Sequence, residues 1–420
     1  MENIRFNSSN NGGGDCPLCK EKAEFKQILM LKNVFSSGDI FEFEAMKKIG
    51  EKGYARGDCI MDLRQCNQCG VLYNFAFDVS KMLKAYSNKA YYQQKNFTSR
   101  LNKTLIQIKD KIISHAKKDS IFLEIAPGLC DLLFALAKEV KFIYSVDPSH
   151  TSLIAKDLKN VMHIQSFFEA KKIRSILKDE KVDFIVFRHL LEHIEKPNEF
   201  LKEVVDFLDF GGKIYLEVPN TLEIFKHKKF YEFFHDHVSF FEENTLVNVL
   251  SKLNCVLIDK HYLYDEQWMG LIFEKRFDVK ELNLEVKFFN EKNYFQREVK
   301  MLNDFLKSFE NVAFMGAGIH SNTMLGFIDE KNLVKLKYCF DLNPEKIGRF
   351  LQNSSIKIIN ASKESLKDIE CIIMTMALHE KVVFENEILN FKKQGLAPKL
   401  KAVILSAKEL RLVNLKENGC

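Results

Sequence analysis

The sequence predicts an α/β protein. A doubly wound, mostly parallel sheet lies at its centre, with a small N-terminal cysteine-bearing lobe before it and a second, Rossmann-like α/β unit after it. Three observations predict this. Two CxxC pairs occupy the first seventy residues, short apolar runs alternate with amphipathic ones from Ile121, and the same alternation resumes at Val312. Strands separated by helical segments are the pattern of βαβ units, which build parallel sheets.

A chain of 420 residues holds two to three domains, each large enough for its own core. The content of 46% apolar and 28% charged residues is that of a soluble globular protein. The 62 basic and 57 acidic residues nearly cancel, and no Lys/Arg block stands out, so nucleic acid is not an expected partner. The polar N-terminus lacks a secretory h-region, and no apolar run reaches the roughly 20 residues that span a bilayer. A cytoplasmic protein without a membrane partner, monomer or homodimer, is expected, with reduced cysteines. Phenylalanine is so abundant, at 37 against a single Trp, that an aromatic residue alone marks no site.

Residues 1–15 read as a disordered tail, 16–78 as a zinc-binding lobe, 79–280 as the central domain and 281–420 as the C-terminal domain. The central domain opens with a helical stretch from Val79 to Lys118 bearing Tyr86, Tyr91, Tyr92 and Phe97. SIFLEIA, FIYSVD, VMHIQSF, VDFIVF and KIYLEVP read as five strands, with DLLFALAKEV and TSLIAKDLKN as helices between them. An aromatic segment after Pro219 fits neither period and reads as an irregular insertion near the active site. A connecting helix is expected around Glu281–Phe309, then strands at VAFMGAG, KYCFD, CIIMTM and AVILS.

The pairs Cys16-Pro-Leu-Cys19 and Cys66-Asn-Gln-Cys69 predict zinc. Each CxxC turn aims two thiolates at one point, and two turns complete a tetrahedron. Four thiolates leave no open position, so the Zn²⁺ is expected to be structural. Cys59 is a spare thiol able to replace one ligand. Unrelated reduced thiols are the alternative.

The first central strand ends in Glu124-Ile125-Ala126-Pro127-Gly128-Leu129-Cys130, where small residues let the backbone turn sharply beside a ligand. The second ends in Asp147-Pro148; the carboxylate is placed to accept hydrogen bonds from a ribose, or else to cap a helix. Phe167, after the third strand, is placed to flank an adenine, with a core role as the alternative. The fourth runs into Arg188-His189-Leu-Leu-Glu192-His193-Ile194, followed by Gly211-Gly212 and the fifth strand.

The loop at Glu124 resembles the E/D-x-G-x-G-x-G pattern of class I methyltransferases, with Ala126 and Cys130 in place of two glycines. Strand, Leu-Glu-His-Ile, helix, Gly-Gly, strand resembles the order of that family. The resemblance implies S-adenosyl-L-methionine as cofactor, held around Glu124, Ala126, Pro127, Gly128, Asp147, Pro148, Phe167, Arg188 and His189. Over most of its length the chain is similar to sugar C-methyltransferases acting on nucleotide-linked deoxysugars. CPLC and CNQCG look like their zinc module, and the run from Phe230 to Phe241 like their F-D-x-I-Y-H-E-H-x-S-Y-F segment. The runs from Val312 to Thr323 and from Phe340 to Gly348 look like their C-terminal domain. A nucleotide-linked sugar in surface-glycan biosynthesis is then the implied small-molecule substrate.

In that family a Tyr, a Glu and a His of the Y-H-E-H stretch stand at the chemistry; the matching positions are Phe234, Asp236 and His237. Phe234 lacks the hydroxyl, and Asp236 is one methylene short, enough to move a carboxylate by over ~1 Å. His237 is expected as general base, oriented by Asp236, with His235 as second choice. Phe234, Tyr92, Gly316, Gly318, His320 and Asn322 are expected to hold the acceptor, with Lys346 and Arg349 near a diphosphate. An oxygen or nitrogen acceptor is the first alternative to carbon. A nicotinamide-dependent oxidoreductase and a non-catalytic binding protein are the others.

Overall fold

The computed structural model describes residues 4–5, 12–46, 57–93, 99–178, 180–289, 294–377 and 379–415. Phe97 of the predicted helical stretch, and residues 1–3 and 6–11 of the predicted tail, lie outside them.

The central domain is a seven-stranded sheet. Its strands are β1 (Ile121–Ile125), β2 (Phe142–Val146), β3 (Val161–Ile164), β4 (Phe184–Arg188), β5 (Lys213–Pro219), β6 (Cys255–Leu263) and β7 (Trp268–Lys275). The spatial order is β3-β2-β1-β4-β5-β7-β6, parallel throughout except for the β6–β7 hairpin, which enters antiparallel beside β5. The first four residues of β4 are all buried, as both faces of a parallel sheet are covered. The helix Pro197–Phe207 carries proline in its first turn and buries Leu201, Val204 and Val205, one face at i, i+3, i+4 spacing. The strand order reverses between β1 and β4, so the carboxyl ends of these strands open onto a crevice.

Three predicted helical segments differ. The stretch from Val79 to Lys118 holds two helices, Val79–Tyr86 and Ser99–Ile113, with residues 87–93 outside them. Thr151–Asp157 is a 3-10 helix rather than an α-helix. The connecting helix is confined to Gln296–Leu306, and residues 281–289 form neither helix nor strand. Side chains take up the backbone groups that a helix would have paired. Leu284 N–H donates to Asn248 Oδ1, Lys287 N–H to Glu242 Oε1 and Phe289 N–H to Gln65 Oε1.

In the N-terminal lobe the long strand Lys22–Val34 pairs with Cys59–Cys66, which pairs with Leu72–Asn74. Ser239–Phe240, from the aromatic segment of the central domain, completes this sheet. Part of the predicted tail is ordered against it: Ile4–Arg5 and Gly12–Asp15 pair with Lys22–Val34, because the free edge of that strand offers unpaired amides.

The C-terminal unit centres on Val312–Met315, flanked in parallel by Leu336–Phe340 and Cys371–Met374. Its far edge is closed by Phe41–Glu42 of the N-terminal lobe, paired with Phe350–Leu351. One apolar cluster runs from Leu29 and Phe41 through Phe225 and Phe230 to Phe314 and Ile373, so the lobe, the insertion and the C-terminal unit share a core. No helix among the described residues is long and apolar enough to cross a membrane.

Candidate active site

The turn after β1 requires left-handed backbone at three alternate positions: φ is 55° at Ala126, 59° at Gly128 and 64° at Cys130. These are the three glycine positions of the pattern, so the loop keeps its shape although two of its residues carry a Cβ. A left-handed L-residue costs roughly 1–2 kcal/mol. Ala126→Gly is therefore expected to raise unfolding free energy by about 1 kcal/mol, less some gain in unfolded-chain entropy. A urea titration reading no change or a loss would contradict this strain.

Gly128 N–H donates to Asp147 Oδ2 at 3.1 Å, and Ser149 N–H to Asp147 Oδ1 at 2.6 Å. Asp147 thus ties the loop after β1 to the end of β2. It closes a turn on Ser149 rather than capping a helix, which begins only at Thr151. Phe167 is 64% exposed, whereas Phe168 packs on Phe200 and Phe207. The core reading thus belongs to Phe168, and Phe167 is left free to meet a ligand.

Glu124 is buried on β1, and burial pushes its carboxyl up to about 8 against the pull of Arg188. Arg188 donates through Nε and Nη2 to Glu217 Oε1 at 3.0 and 2.8 Å. His189 Nε2 stands 3.0 Å from the same oxygen, and Tyr215 donates to Glu217 Oε2 at 2.6 Å. Burial opposes the charge on His189, but Glu192 and Glu217 together hold its pKa up to about 9. Arg188 and His189 are therefore a charged floor beneath the crevice, tied to the sheet.

Beside the aromatic segment, Tyr86 donates to Asp236 Oδ2 at 3.1 Å and lies 3.2 Å from His193 Nδ1. His193 Nδ1 is 2.7 Å from the Asp236 carbonyl oxygen, which fixes the proton on Nδ1 and leaves Nε2 bare. The His237 ring stands 4.7 Å from that of His193 and 4.4 Å from Phe234. Burial, with His193 and His189 nearby, holds His237 well below the usual imidazole range, so it is neutral. Asp39 of the N-terminal lobe faces the same space; burial and the Asp236 charge push it up to about 7. Tyr86, His193 and Asp39 are contributors that sequence reasoning missed, although Tyr86 and His193 stand in segments already singled out.

Three expected site residues are placed elsewhere. His235 is 1% exposed; Asp78 N–H donates to its Nε2 and its Nδ1 bonds the Ile60 carbonyl, both at 3.0 Å. Neither nitrogen is left for a substrate proton. Asn322 is fully buried, donating to the Gly38 and Ile40 carbonyls and accepting from Gln352 N–H, so it holds the lobe to the C-terminal unit instead of an acceptor. Lys346 is buried and donates to the Ala317 carbonyl, with its Nζ 4.6 Å from the Phe41 and Tyr92 rings. Tyr92 accepts from Asn343, and His320 pairs with Glu232 at 2.9 Å. Asp236 orients Tyr86 and His193, and no hydrogen bond joins its carboxylate to His237. Gly316 turns with φ 98° before Gly318, and Ala317 N–H donates to Asp341 Oδ2 at 2.6 Å, the arrangement that Gly128 and Asp147 make in the central domain.

The four expected zinc ligands converge: the Sγ atoms of Cys16, Cys19, Cys66 and Cys69 all lie within 4.8 Å of one another, with Cys16 and Cys69 at 3.7 Å. A tetrahedron with Zn–S bonds of about 2.3 Å has S···S edges of about 3.8 Å, so the donor set fits that ion. Cys59 lies at the opposite end of its strand, beside Asp58, and is not a member.

A family profile described as "Methyltransferase domain" matches residues 90–260. The central unit is a class I methyltransferase domain. Among solved structures, the chain is similar to the N-methyltransferase NodS from Bradyrhizobium japonicum WM9 in complex with S-adenosyl-L-homocysteine. The identity is 13%, over 46% of this chain and 95% of that one, at a TM-score of 0.35. It is also similar to the 1,6-didemethyltoxoflavin-N1-methyltransferase from Burkholderia thailandensis, at 11% identity over 41% and 78% of the two chains and a TM-score of 0.33. No curated protein sequence matches. The chain is an S-adenosylmethionine-dependent methyltransferase.

The pH dependence of this methyltransferase's stability follows from its buried groups. Glu124, Asp39 and Glu380 are raised to about 8, 7 and 7, chiefly by burial, and His189 to about 9. Each binds its proton more tightly folded than unfolded, so stability is lost as the pH rises from the group's ordinary range up to its raised value, the carboxylate range for the three acids and the imidazole range for His189. Burial lowers His235 and His261, which instead costs stability as the pH falls below the ordinary imidazole range. The melting temperature is expected to fall from pH 7 towards pH 9, as Glu124 and His189 lose protons that the folded state holds. A melting temperature rising from pH 7 to 9 would contradict the assignment.

Proposed function

We propose that this methyltransferase acts on a nucleotide-activated sugar or a related small phosphorylated metabolite in surface-glycan biosynthesis, with His237 as general base. The observation that carries this reading is the side-chain cluster in which Tyr86, His193, Asp236 and the neutral His237 meet Asp39 of the lobe. S-adenosylmethionine supplies an electrophilic methyl group, so the protein must only align an acceptor and take one proton. Glu124, Ala126, Pro127, Gly128, Asp147, Pro148 and Phe167 would hold the donor. His237 would accept the proton. Asp236 and Tyr86 would hold the flank of the cluster through His193. Gly316, Gly318, His320, Phe234 and Tyr92 would bound the acceptor. Cys16, Cys19, Cys66 and Cys69 would hold a structural Zn²⁺ far from the reaction.

Carbon methylation beside a ketone predicts that His237 exchanges that proton with solvent. The test incubates the enzyme with labelled donor and a panel of 4-keto and non-keto nucleotide sugars in D₂O. Labelled product from a nucleotide sugar supports the proposal, and deuterium at the carbon of recovered keto-sugar selects carbon over oxygen or nitrogen. Donor binding without a labelled product from any panel member contradicts it.

A further inference from the structure

Beside this cluster stands a carboxylate that proton transfer does not use. Glu192 is 1% exposed, yet among the described residues neither of its carboxylate oxygens has a hydrogen-bond partner. A buried carboxylate left without donors is costly, and such groups are normally paired or bound to a cation. Its nearest ionic neighbour, His189 Nδ1, stands at 3.5 Å, outside good hydrogen-bond geometry, while His189 Nε2 is already 3.0 Å from Glu217. One ligand atom each from Glu192, His193 and His237 lies within 4.8 Å of the other two. His193 donates its Nδ1 proton to the Asp236 carbonyl, which turns Nε2 inward with its lone pair free. That outer contact is the usual support for a metal-binding imidazole. Among the described residues the His237 ring makes ring contacts, to His193, Phe234 and Phe240, and no hydrogen bond engages its nitrogens.

We infer that Glu192, His193 and His237 form a binding site for a divalent transition-metal ion, separate from the cysteine cluster, and that occupation of this site stops methyl transfer. Two imidazoles and one carboxylate suit Zn²⁺, Co²⁺, Ni²⁺ or Fe²⁺ rather than Mg²⁺ or Ca²⁺. Binding needs no redox change: the metal takes one nitrogen lone pair each from His193 and His237 and one oxygen of Glu192, any proton on those atoms passes to solvent, and His193 keeps its Nδ1 proton. His189 retains Glu217 as its counter-ion when the metal takes Glu192. The inhibitory half of the inference rests on His237 as the base, since a coordinated nitrogen accepts no proton; the binding half does not.

The full chain with its cysteine cluster loaded with zinc is titrated with Co²⁺, followed by calorimetry and by visible absorption. One further equivalent of Co²⁺ is expected, with the spectrum of a nitrogen–oxygen site rather than a thiolate site, and none of Mg²⁺. Glu192→Gln is expected to weaken Co²⁺ by more than the roughly 10–100-fold that loss of an outer-shell partner costs. His237→Asn, which leaves the buried carboxylate in place, must weaken it as well. Absence of the further equivalent in the parent chain, or unchanged Co²⁺ affinity in both variants, overturns the site. Inhibition of methyl transfer is expected to track Co²⁺ occupancy. Occupancy without inhibition leaves the site standing and overturns His237 as the base.

Discussion

His237→Gln is expected to lower the rate of methyl transfer by about 10²–10⁴-fold, the contribution of one positioned general base. Affinity for S-adenosylhomocysteine should stay unchanged, because the donor loop is tied to Asp147 and not to the aromatic segment. The reason for choosing this residue is accessibility of a lone pair. His235 spends both nitrogens on main chain, and His193 spends one on the Asp236 carbonyl, whereas His237 spends neither. Single-turnover transfer from labelled donor measures the effect apart from product release. A His237→Gln rate within a few-fold of the parent would move the base elsewhere, with His193 the first candidate. His235→Gln should instead cost stability, since a buried ring bridging Asp78 and Ile60 is replaced by a shorter, more flexible group.

Cys66→Ser is expected to remove the zinc and several kcal/mol of stability. In zinc-finger peptides the ion supplies roughly 10–16 kcal/mol of folding free energy. Here the sheet backs the cysteine turns, so part of the lobe survives. The ligand turns also anchor neighbours: Asn198 N–H and Nδ2 donate to the Pro17 and Leu18 carbonyls, and Thr245 donates to the Cys69 carbonyl. Loss of the metal therefore loosens two helices of the central domain, Pro197–Phe207 and Glu243–Ser251. At about 2–4 °C per kcal/mol, the melting temperature should drop by some tens of degrees at most. Elemental analysis gives the direct check: zinc is lost in Cys66→Ser and retained in Cys59→Ser. Zinc lost equally from both variants would contradict the ligand set.

The five parallel strands of the central sheet are legible in the sequence because strands buried on both faces are short unbroken apolar runs, as in Phe184–Arg188. The cysteine cluster is legible because CxxC spacing constrains geometry locally. The β6–β7 hairpin is harder to read, since β6 is mostly half-exposed and mixes Asp259, Lys260 and His261 with apolar residues. The irregular run before Gln296 reads as helix because its pairing comes from Gln65, Glu242 and Asn248, side chains distant in sequence. The donor loop reads as degraded when glycines are counted, yet Ala126 and Cys130 hold the left-handed backbone that glycine would have supplied. In the cluster, residue type suggests four histidines and several carboxylates, but only the hydrogen bonds separate His237 from His235. Asp39 is invisible in the sequence because its role depends on a lobe loop being held by Asn322 from nearly three hundred residues away.

Calorimetric titration of the intact chain with S-adenosylhomocysteine and, separately, with NADH tests the central claim most directly. Stoichiometric binding of S-adenosylhomocysteine is predicted, weakened by Asp147→Ala, with no heat from NADH. Binding of NADH with no response to S-adenosylhomocysteine would contradict a methyl-donor site at the ends of β1 and β2.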